Sequence, residues 1–452
     1  MKKLIFRSVV RLFGCSIARC SAVLLLILSN TPTFSQSEIL KYAHQVVDTL
    51  ASPSMHGRGY VNKGDSIAAE YIKNEFTKDK LKPFGVNYFQ RLFFSVNTFP
   101  TEIELTIDHN KLIPGKDFII KSNSPSASVL AQKDFRAMDI SKIKIYKETD
   151  ISSEKKYKRI SKKNFYGTAI IFNGCNVKDK RKFQNSISYI TNKQAGGSYF
   201  LFTNEKLTWE ISQNQNNVPL VECTCKDSAH IGDFKTIAFH IRAELILKHE
   251  SQNIIGYIPG SQYPDSFIVF SAHYDHLGQM GKDVYFPGAN DNASGCAMLL
   301  NLAKYYSQHP PKYSIAFMAF GGEEVGLLGS KYYVEHPLFP LKQIKFLVNM
   351  DIMGTGDEGI KVVNATEHKK EFDELVKINT EKNLLPSVQP RGKAANSDHY
   401  FFEEAGVKTF FIYTLGGIKA YHDIYDRPET LPLTKFEEAY KLLIDFSDYL
   451  QK

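Results

Sequence analysis

The hydrophobic pattern along the chain is of two kinds, and they fall in different places. Apolar positions recur at helical spacing over 37–50 and 63–78. The second helix follows the glycine-punctuated Met55-His56-Gly57-Arg58-Gly59 and ends in Lys-rich sequence before Pro83. Residues 90–120 read as strands. From about 246 onward, short continuous apolar runs at 254–258, 267–272, 314–320, 346–350 and 409–413 alternate with helical patterns at 293–306, 326–335, 368–382 and 433–450. A strand buried on both faces needs apolar residues at every position. Several such strands separated by helices predict an α/β fold, a three-layer sandwich with a mostly parallel central sheet. From about 126 to 245 the composition shifts to Lys, Ser and Asn, with short β-like runs such as 168–172 and 199–203, which predicts a smaller β-rich inserted domain. No internal repeat or low-complexity tract interrupts this order.

Composition changes the picture in three respects. A chain of 452 residues, 43% hydrophobic, can bury two or three structural units and is not disordered. The formal charge of +8 suggests nucleic acid, but residues 1–35 carry Lys2, Lys3, Arg7, Arg11 and Arg19 and no acid. The small remainder is ordinary for a solvated surface, so no nucleic-acid partner is expected. That same N-terminus reads as a secretory signal peptide over 1–35, with a basic start, an apolar run at 22–28 and Thr33-Phe34-Ser35 ahead of Gln36. The run is too short to span a bilayer. Leu12-Phe13-Gly14-Cys15 resembles a lipoprotein box but precedes the apolar run, so an exported protein, soluble or surface-associated, is expected. Four cysteines remain after cleavage: Cys175, Cys223, Cys225 and Cys296. Cys223 and Cys225 share one face of a strand, and one of them can pair with Cys175.

The candidate chemistry gathers where the apolar runs end. His273, Asp275, Asp291, Glu323, Glu324, Asp351 and His422 are all metal-ligating or proton-transferring types. In α/β sheets of this kind the ligand site lies at the carboxyl ends of strands. Spacing of two places Asp275 on the same side as His273, so its carboxylate is expected to take the imidazole N–H and set the metal-binding tautomer. Asp291, in Gly288-Ala289-Asn290-Asp291-Asn292 ahead of a helix, has two oxygens free to bridge two cations. Adjacent Glu323 and Glu324 diverge, so one can ligate while the other acts on a water. Against this, paired acids are usually a solvated face, and Asp351 after a strand could be a helix cap. His276 reads as a packed or solvent-facing histidine. Asp398 and His399 either line the pocket or tie down a loop, and Asp426 either orients His422 or caps a turn.

This constellation resembles the M28 family of zinc peptidases, of the co-catalytic aminopeptidase class, throughout 246–452. The pieces that carry it are His273-Tyr274-Asp275, the run from Gly288 to Gly295, Gly322-Glu323-Glu324 with Gly326-Leu327 and Gly329-Ser330, Asn349-Met350-Asp351, Ser397-Asp398-His399 and Tyr421-His422. Residues 55–59 with Ala68-Ala69-Glu70-Tyr71-Ile72 look like the family's lead-in, so 36–125 is expected to be the N-terminal part of the catalytic domain and 246–452 the rest. The insertion at 126–245 resembles, more loosely, a protease-associated domain. The resemblance implies two zinc ions, one held by His273, Asp291 and Asp351 and the other by Asp291, Glu324 and His422. It further implies Glu323 as general base, Tyr421 as donor to an oxyanion, and a cis bond between Asp291 and Asn292; Asp275, as the partner that orients His273, is counted with Glu323 and Tyr421 among the catalytic residues. The substrate the resemblance implies is a peptide, cleaved from a free amino terminus. Two other functions share the fold, a glutaminyl-cyclase-like acyltransferase with one zinc and a non-catalytic receptor. Ala395-Asn396 stand where relatives often carry arginine or glycine, with Arg391 further back, so these residues do not identify the substrate end being read. The aromatics Tyr274, Tyr285, Phe286 and Tyr400 to Phe402 would suit a pocket for apolar side chains.

Overall fold

The computed structural model of the chain describes residues 37–132, 142–225, 231 and 233–452. The signal peptide expected at 1–35 lies outside the described residues. An eight-stranded sheet runs in the spatial order Phe89–Thr98, Glu244–Ile258, Tyr313–Phe320, Tyr263–His273, Ile344–Met350, Thr409–Leu415, Gly359–Val363 and Val388–Pro390. Its four central strands, from Tyr313–Phe320 to Thr409–Leu415, are mutually parallel. These are the segments whose apolar runs are continuous, because both faces are covered. On one face pack the helices Glu38–Leu50, Gly64–Lys78, Gly295–Gln308, Lys369–Lys382 and Phe436–Leu450, which share the largest core. On the other lie Leu328–Glu335 and His399–Glu404, around Phe320, Tyr333, Phe339 and Phe402. The result is the expected three-layer sandwich. Gly295–Gln308 runs against the sheet through Gly295, Cys296, Ala297 and Ala303, small residues that let the helix approach closely.

Two smaller sheets are built from residues between the first and second strands of the large one. Ile103–Ile107, Asn110–Lys111, Ala127–Gln132 and Thr236–Ile241 form an antiparallel sheet of four. Phe118–Ile120, Leu220–Thr224, Ser198–Thr203, Thr168–Asn173 and Lys142–Lys147 form a sheet of five. Residues 103–120, grouped by the sequence with the N-terminal portion, therefore pair into the small sheets, since strand partners are chosen across long separations that local pattern does not encode. The helices Glu154–Ser161 and Lys180–Thr191 also belong here. In the second, Phe183, Ile187 and Ile190 bury one face of an otherwise Lys-, Asn- and Ser-rich helix. Glu244–Ile258 is three times as long as its apolar tail at 254–258, because its polar first half pairs with Phe89–Thr98 at the sheet edge, where one side is wet.

Cys175 is joined to Cys225, leaving Cys223 and Cys296 as buried thiols. The bridge closes 50 residues and fastens the turn after Thr168–Asn173 to the end of Leu220–Thr224. Closure of a loop of that length restricts the unfolded chain, so Cys175→Ser is expected to cost about 4 kcal/mol. Denaturant unfolding of the variant beside the parent, with and without reductant, measures it; an unchanged midpoint would show that the bridge contributes nothing.

Candidate metal centre

Three strands of the parallel core end within a few residues of one another's chemistry. His273 closes Tyr263–His273, Asp351 follows Ile344–Met350 directly, and Glu323 and Glu324 come just after Tyr313–Phe320. Asp291 lies in the turn 289–294 that leads into Gly295–Gln308, and the bond from Asp291 to Asn292 is cis. His422 arrives from the loop after Thr409–Leu415.

Their donor atoms form two trios that share one carboxylate. His273 Nε2 is 3.3 Å from Asp291 Oδ1 and 3.4 Å from Asp351 Oδ1. His422 Nε2 is 3.1 Å from Asp291 Oδ2 and 3.3 Å from Glu324 Oε2. These spacings test the fit of a metal. Zinc bonds of about 2.0–2.1 Å in a tetrahedron put neighbouring donor atoms about 3.3–3.4 Å apart. Asp351 Oδ1, moreover, is buried without a hydrogen-bond partner. The donor set, nitrogen and carboxylate oxygen only, suits zinc. A Glu323 carboxylate oxygen lies within 4.8 Å of donor atoms of His273 and Asp351, at the edge of the first trio.

The structure corrects two readings of the residues around these trios. The Asp275 carboxylate does not take the His273 N–H. His273 Nδ1 is 3.1 Å from the Asp275 main-chain carbonyl and 3.9 Å from its carboxylate, because the strand ends at His273 and the chain turns before Asp275. A carbonyl can only accept, so Nδ1 carries the proton and Nε2 is left to face Asp291 and Asp351. The freed carboxylate accepts from Tyr60 Oη at 2.7 Å and from the backbone N–H groups of Glu323 at 3.1 Å and Glu324 at 3.3 Å. It therefore anchors the loop that carries the paired glutamates. His276, read as packed or solvent-facing, is fully buried with Nδ1 2.7 Å from Glu324 Oε1, which turns the other oxygen of Glu324 toward His422. Its sequence signal was only its place one residue after Asp275.

The remaining candidates find their places in the same way. Asp426 does not orient His422; it accepts from the N–H groups of Asn290 at 2.8 Å and Asp291 at 3.0 Å. Asp398 and His399 are both interior, and the His399 ring lies against Phe411. Tyr421 stacks on His422 with ring centres 3.9 Å apart and is 44% exposed. Of the aromatics considered for a pocket, Tyr274, Phe286 and Phe402 are core.

Arg58 is the support that the motif at 55–59 conceals. It is fully buried and directs its five N–H donors at five main-chain carbonyls: Nε to Tyr274, Nη1 to Leu50 and Pro287, Nη2 to Gly288 and Asp291. It thus ties the chain after His273 to the turn that presents Asp291. The approach is so close that a Cβ at Gly288, where φ is +58°, would sit 2.6 Å from Arg58 Nη2 and 2.2 Å from the Asp291 carbonyl oxygen.

Charge in the cluster is strongly polarised. Burial alone would raise the Asp291 carboxyl, but His273 and His422 hold it well below the usual range. Burial likewise opposes the ionised form of Glu324, and His422 above all brings it down to about 2. His422 itself is carried up to about 11, burial being outweighed by Glu324 and Asp291. Glu323 goes the other way: burial raises it well above the carboxylate range, His273 pulls it back, and Glu324, Asp398 and Asp351 push it further up. Two adjacent glutamates thus have opposite proton affinities, one suited to ligation and one to proton transfer.

Residues 253–447 match peptidase family M28. Aminopeptidase YwaD of Bacillus subtilis is 31% identical over 223 residues, which is 47% of this chain and 47% of that protein. A probable zinc metalloprotease of Pyrenophora teres f. teres is 36% identical over 113 residues, 24% of this chain and 23% of that protein. The chain thus spans about half the length, or less, of the curated relatives it matches. Among solved structures, BSAP, a zinc aminopeptidase from Bacillus subtilis, superposes with a TM-score of 0.67 over 91% of this chain and 95% of that one at 22% identity. A peptidase M28 precursor from Shewanella amazonensis does so with 0.61 over 92% and 97% at 14% identity. At these identities the likeness is one of fold, and it extends over the smaller sheets as well as the large one.

Replacing Arg58 with methionine takes a donor from each of five buried carbonyls, of which Gly288 keeps the N–H of Ala293, and a loss of at least about 3 kcal/mol is expected, with Arg58→Lys recovering part of it. Chemical denaturation decides the matter; a methionine variant as stable as the parent would show that the carbonyls find water. His276→Ala is expected to weaken divalent-metal binding about tenfold or more, as loss of a ligand's hydrogen-bond partner does. Zinc titration by calorimetry would show no change if Glu324 is oriented without it.

Proposed function

From the match of residues 253–447 to peptidase family M28 we propose that the protein is an exported zinc-dependent exopeptidase, an aminopeptidase acting on peptides. The observation that carries this reading is the division of one carboxylate between two histidines, Asp291 Oδ1 toward His273 and Asp291 Oδ2 toward His422. Such an arrangement suits two ions, one held by His273, Asp291 and Asp351 and the other by Asp291, Glu324 and His422. Zinc there supplies Lewis acidity toward a water and a peptide carbonyl. The chain's own groups then have distinct tasks. Glu323, half-buried and with a raised proton affinity, takes the proton of the attacking water and returns it to the leaving amine. Asp275 holds Glu323 and Glu324 by their backbone N–H groups, so the base and the ligand move together. The Tyr421 hydroxyl, kept beside the site by stacking on His422, donates to the oxygen of the tetrahedral state. Export rests on the N-terminal pattern of residues 1–35; no helix among the described residues is long and apolar enough to cross a membrane.

The test is release of amino acids from peptides with free and with blocked amino termini, by zinc-loaded protein, with metal counted in the same sample. Release from free termini alone, abolished by chelation and accompanied by two zincs, is the expected result. Glu323→Gln is expected to keep both metals and lose about 10²–10⁴ in kcat, since only the base is removed. Near-normal turnover in that variant would overturn its role, and retention of two zincs by Asp291→Ala would overturn the bridge.

A further inference from the structure

The inserted portion reaches the metal centre through one segment. Between Ser198–Thr203 and Leu220–Thr224 the chain leaves the five-stranded sheet and crosses to the large one without forming helix or strand. Lys206 has three N–H donors, and three acceptors surround them: the carbonyls of Lys419 and Tyr421, each at 2.9 Å, and Asp423 Oδ2 at 2.6 Å. All three flank His422. Three residues on, the Trp209 backbone N–H donates to the carbonyl of His422 itself at 2.9 Å. Gln213 Nε2 then donates to the carbonyl of Val325 at 2.9 Å, the residue after Glu324. The segment is fixed in turn. The Trp209 ring stacks on Phe286 at 4.7 Å and its Nε1 donates to the Ile120 carbonyl, while Ser95 Oγ donates to the Gln213 carbonyl at 2.8 Å.

The residues so held are particular ones. His273 and Asp351 stand at the ends of central strands, where the sheet fixes them. Glu324 and His422 stand on loops, and His422 has a left-handed backbone, φ +53°, that a β-carbon-bearing residue adopts only when its surroundings impose it. Accepting the zinc reading above, we propose that residues 206–213 are a positioning strap that holds His422 and Glu324 in ligating geometry, so that the inserted portion governs occupancy of the second zinc position and not the first. Removal of the strap would leave the first trio intact and the second loose.

Zinc titration of the full mature chain tests this, comparing the parent with a Lys206→Met, Gln213→Ala double variant and with Lys206→Arg. Trp209 is the chain's single tryptophan, so its emission reports the strap directly. Two zincs are expected in the parent. In the double variant one is expected to bind as before and the other about tenfold or more weakly, the usual effect of losing a ligand's support. Emission should shift to the red, whereas Lys206→Arg, which keeps donors for the same carbonyls, should retain the second site. Two zincs bound as tightly in the double variant as in the parent would overturn the strap while leaving the metal reading intact. Equal weakening of both sites with a lowered thermal midpoint would also overturn it, as general destabilisation. A parent that takes up no zinc would remove the metal reading, and the strap's role with it.

Discussion

The Asp291 carboxylate, facing an imidazole on each side, is the interaction on which the rest of the centre depends. To place two oxygens in two directions at once, the turn that carries it has to be fixed from every side, and it is. Asp426 takes the N–H groups of residues 290 and 291, Arg58 takes the carbonyls of 288 and 291, and the Asn292 side chain joins the Met350 carbonyl to the N–H groups of Gly295 and Ile352. Gly288 leaves no room for a side chain where these meet. Apart from Gly295, these partners are distant from Asp291 in sequence; they are brought by three separate segments.

Burying so many carboxylates together is costly unless each has a counter-charge or a donor. The chain meets that requirement in layers. Histidines face the innermost carboxylates, backbone N–H groups take up Asp275 and Asp426, and the buried guanidinium of Arg58 supplies a fixed positive charge behind the Asp291 turn. Asp351 Oδ1 is left over, buried and without a donor, on the side facing His273. An acceptor left in that state beside two others is what a cation site requires. The same like-charge crowding separates Glu323 from Glu324, since only Glu324 has imidazoles close enough to keep it ionised.

Rigidity is distributed unevenly. The parallel core delivers His273 and Asp351 directly from strand ends, positions that hydrogen bonds on both sides of each strand define. The loops delivering Glu324 and His422 rely on contacts from outside the large sheet, from Asp275, from His276 and from the segment 206–213. The smaller sheets are therefore part of the centre's framework and not a separate appendage beside it.

The continuous apolar runs were enough to identify the parallel core, because residues covered on both faces can only be apolar, and the ends of those runs marked His273, Glu323, Glu324 and Asp351 without knowledge of any contact. The same logic failed wherever a residue's task depended on a distant partner. Asp275 lay at the right spacing to orient His273, yet the chain turned and its carbonyl took that role, leaving the carboxylate to the glutamate loop. Arg58 looked like one basic residue in a glycine-rich loop, and His276 like an ordinary packed histidine; their value lies in partners brought near only by folding, such as the Asp291 carbonyl 233 residues from Arg58 and the Glu324 carboxylate 48 residues from His276. The polar half of Glu244–Ile258 and the pairing of residues 103–120 were hidden for a related reason, that strand partners at a wet edge leave little hydrophobic trace. Composition and periodicity record what a residue's surroundings must be on average, and so determined the sheet, the layers and the ligand types. Which donor meets which acceptor is set by the path of the backbone, and only the tertiary structure decided that.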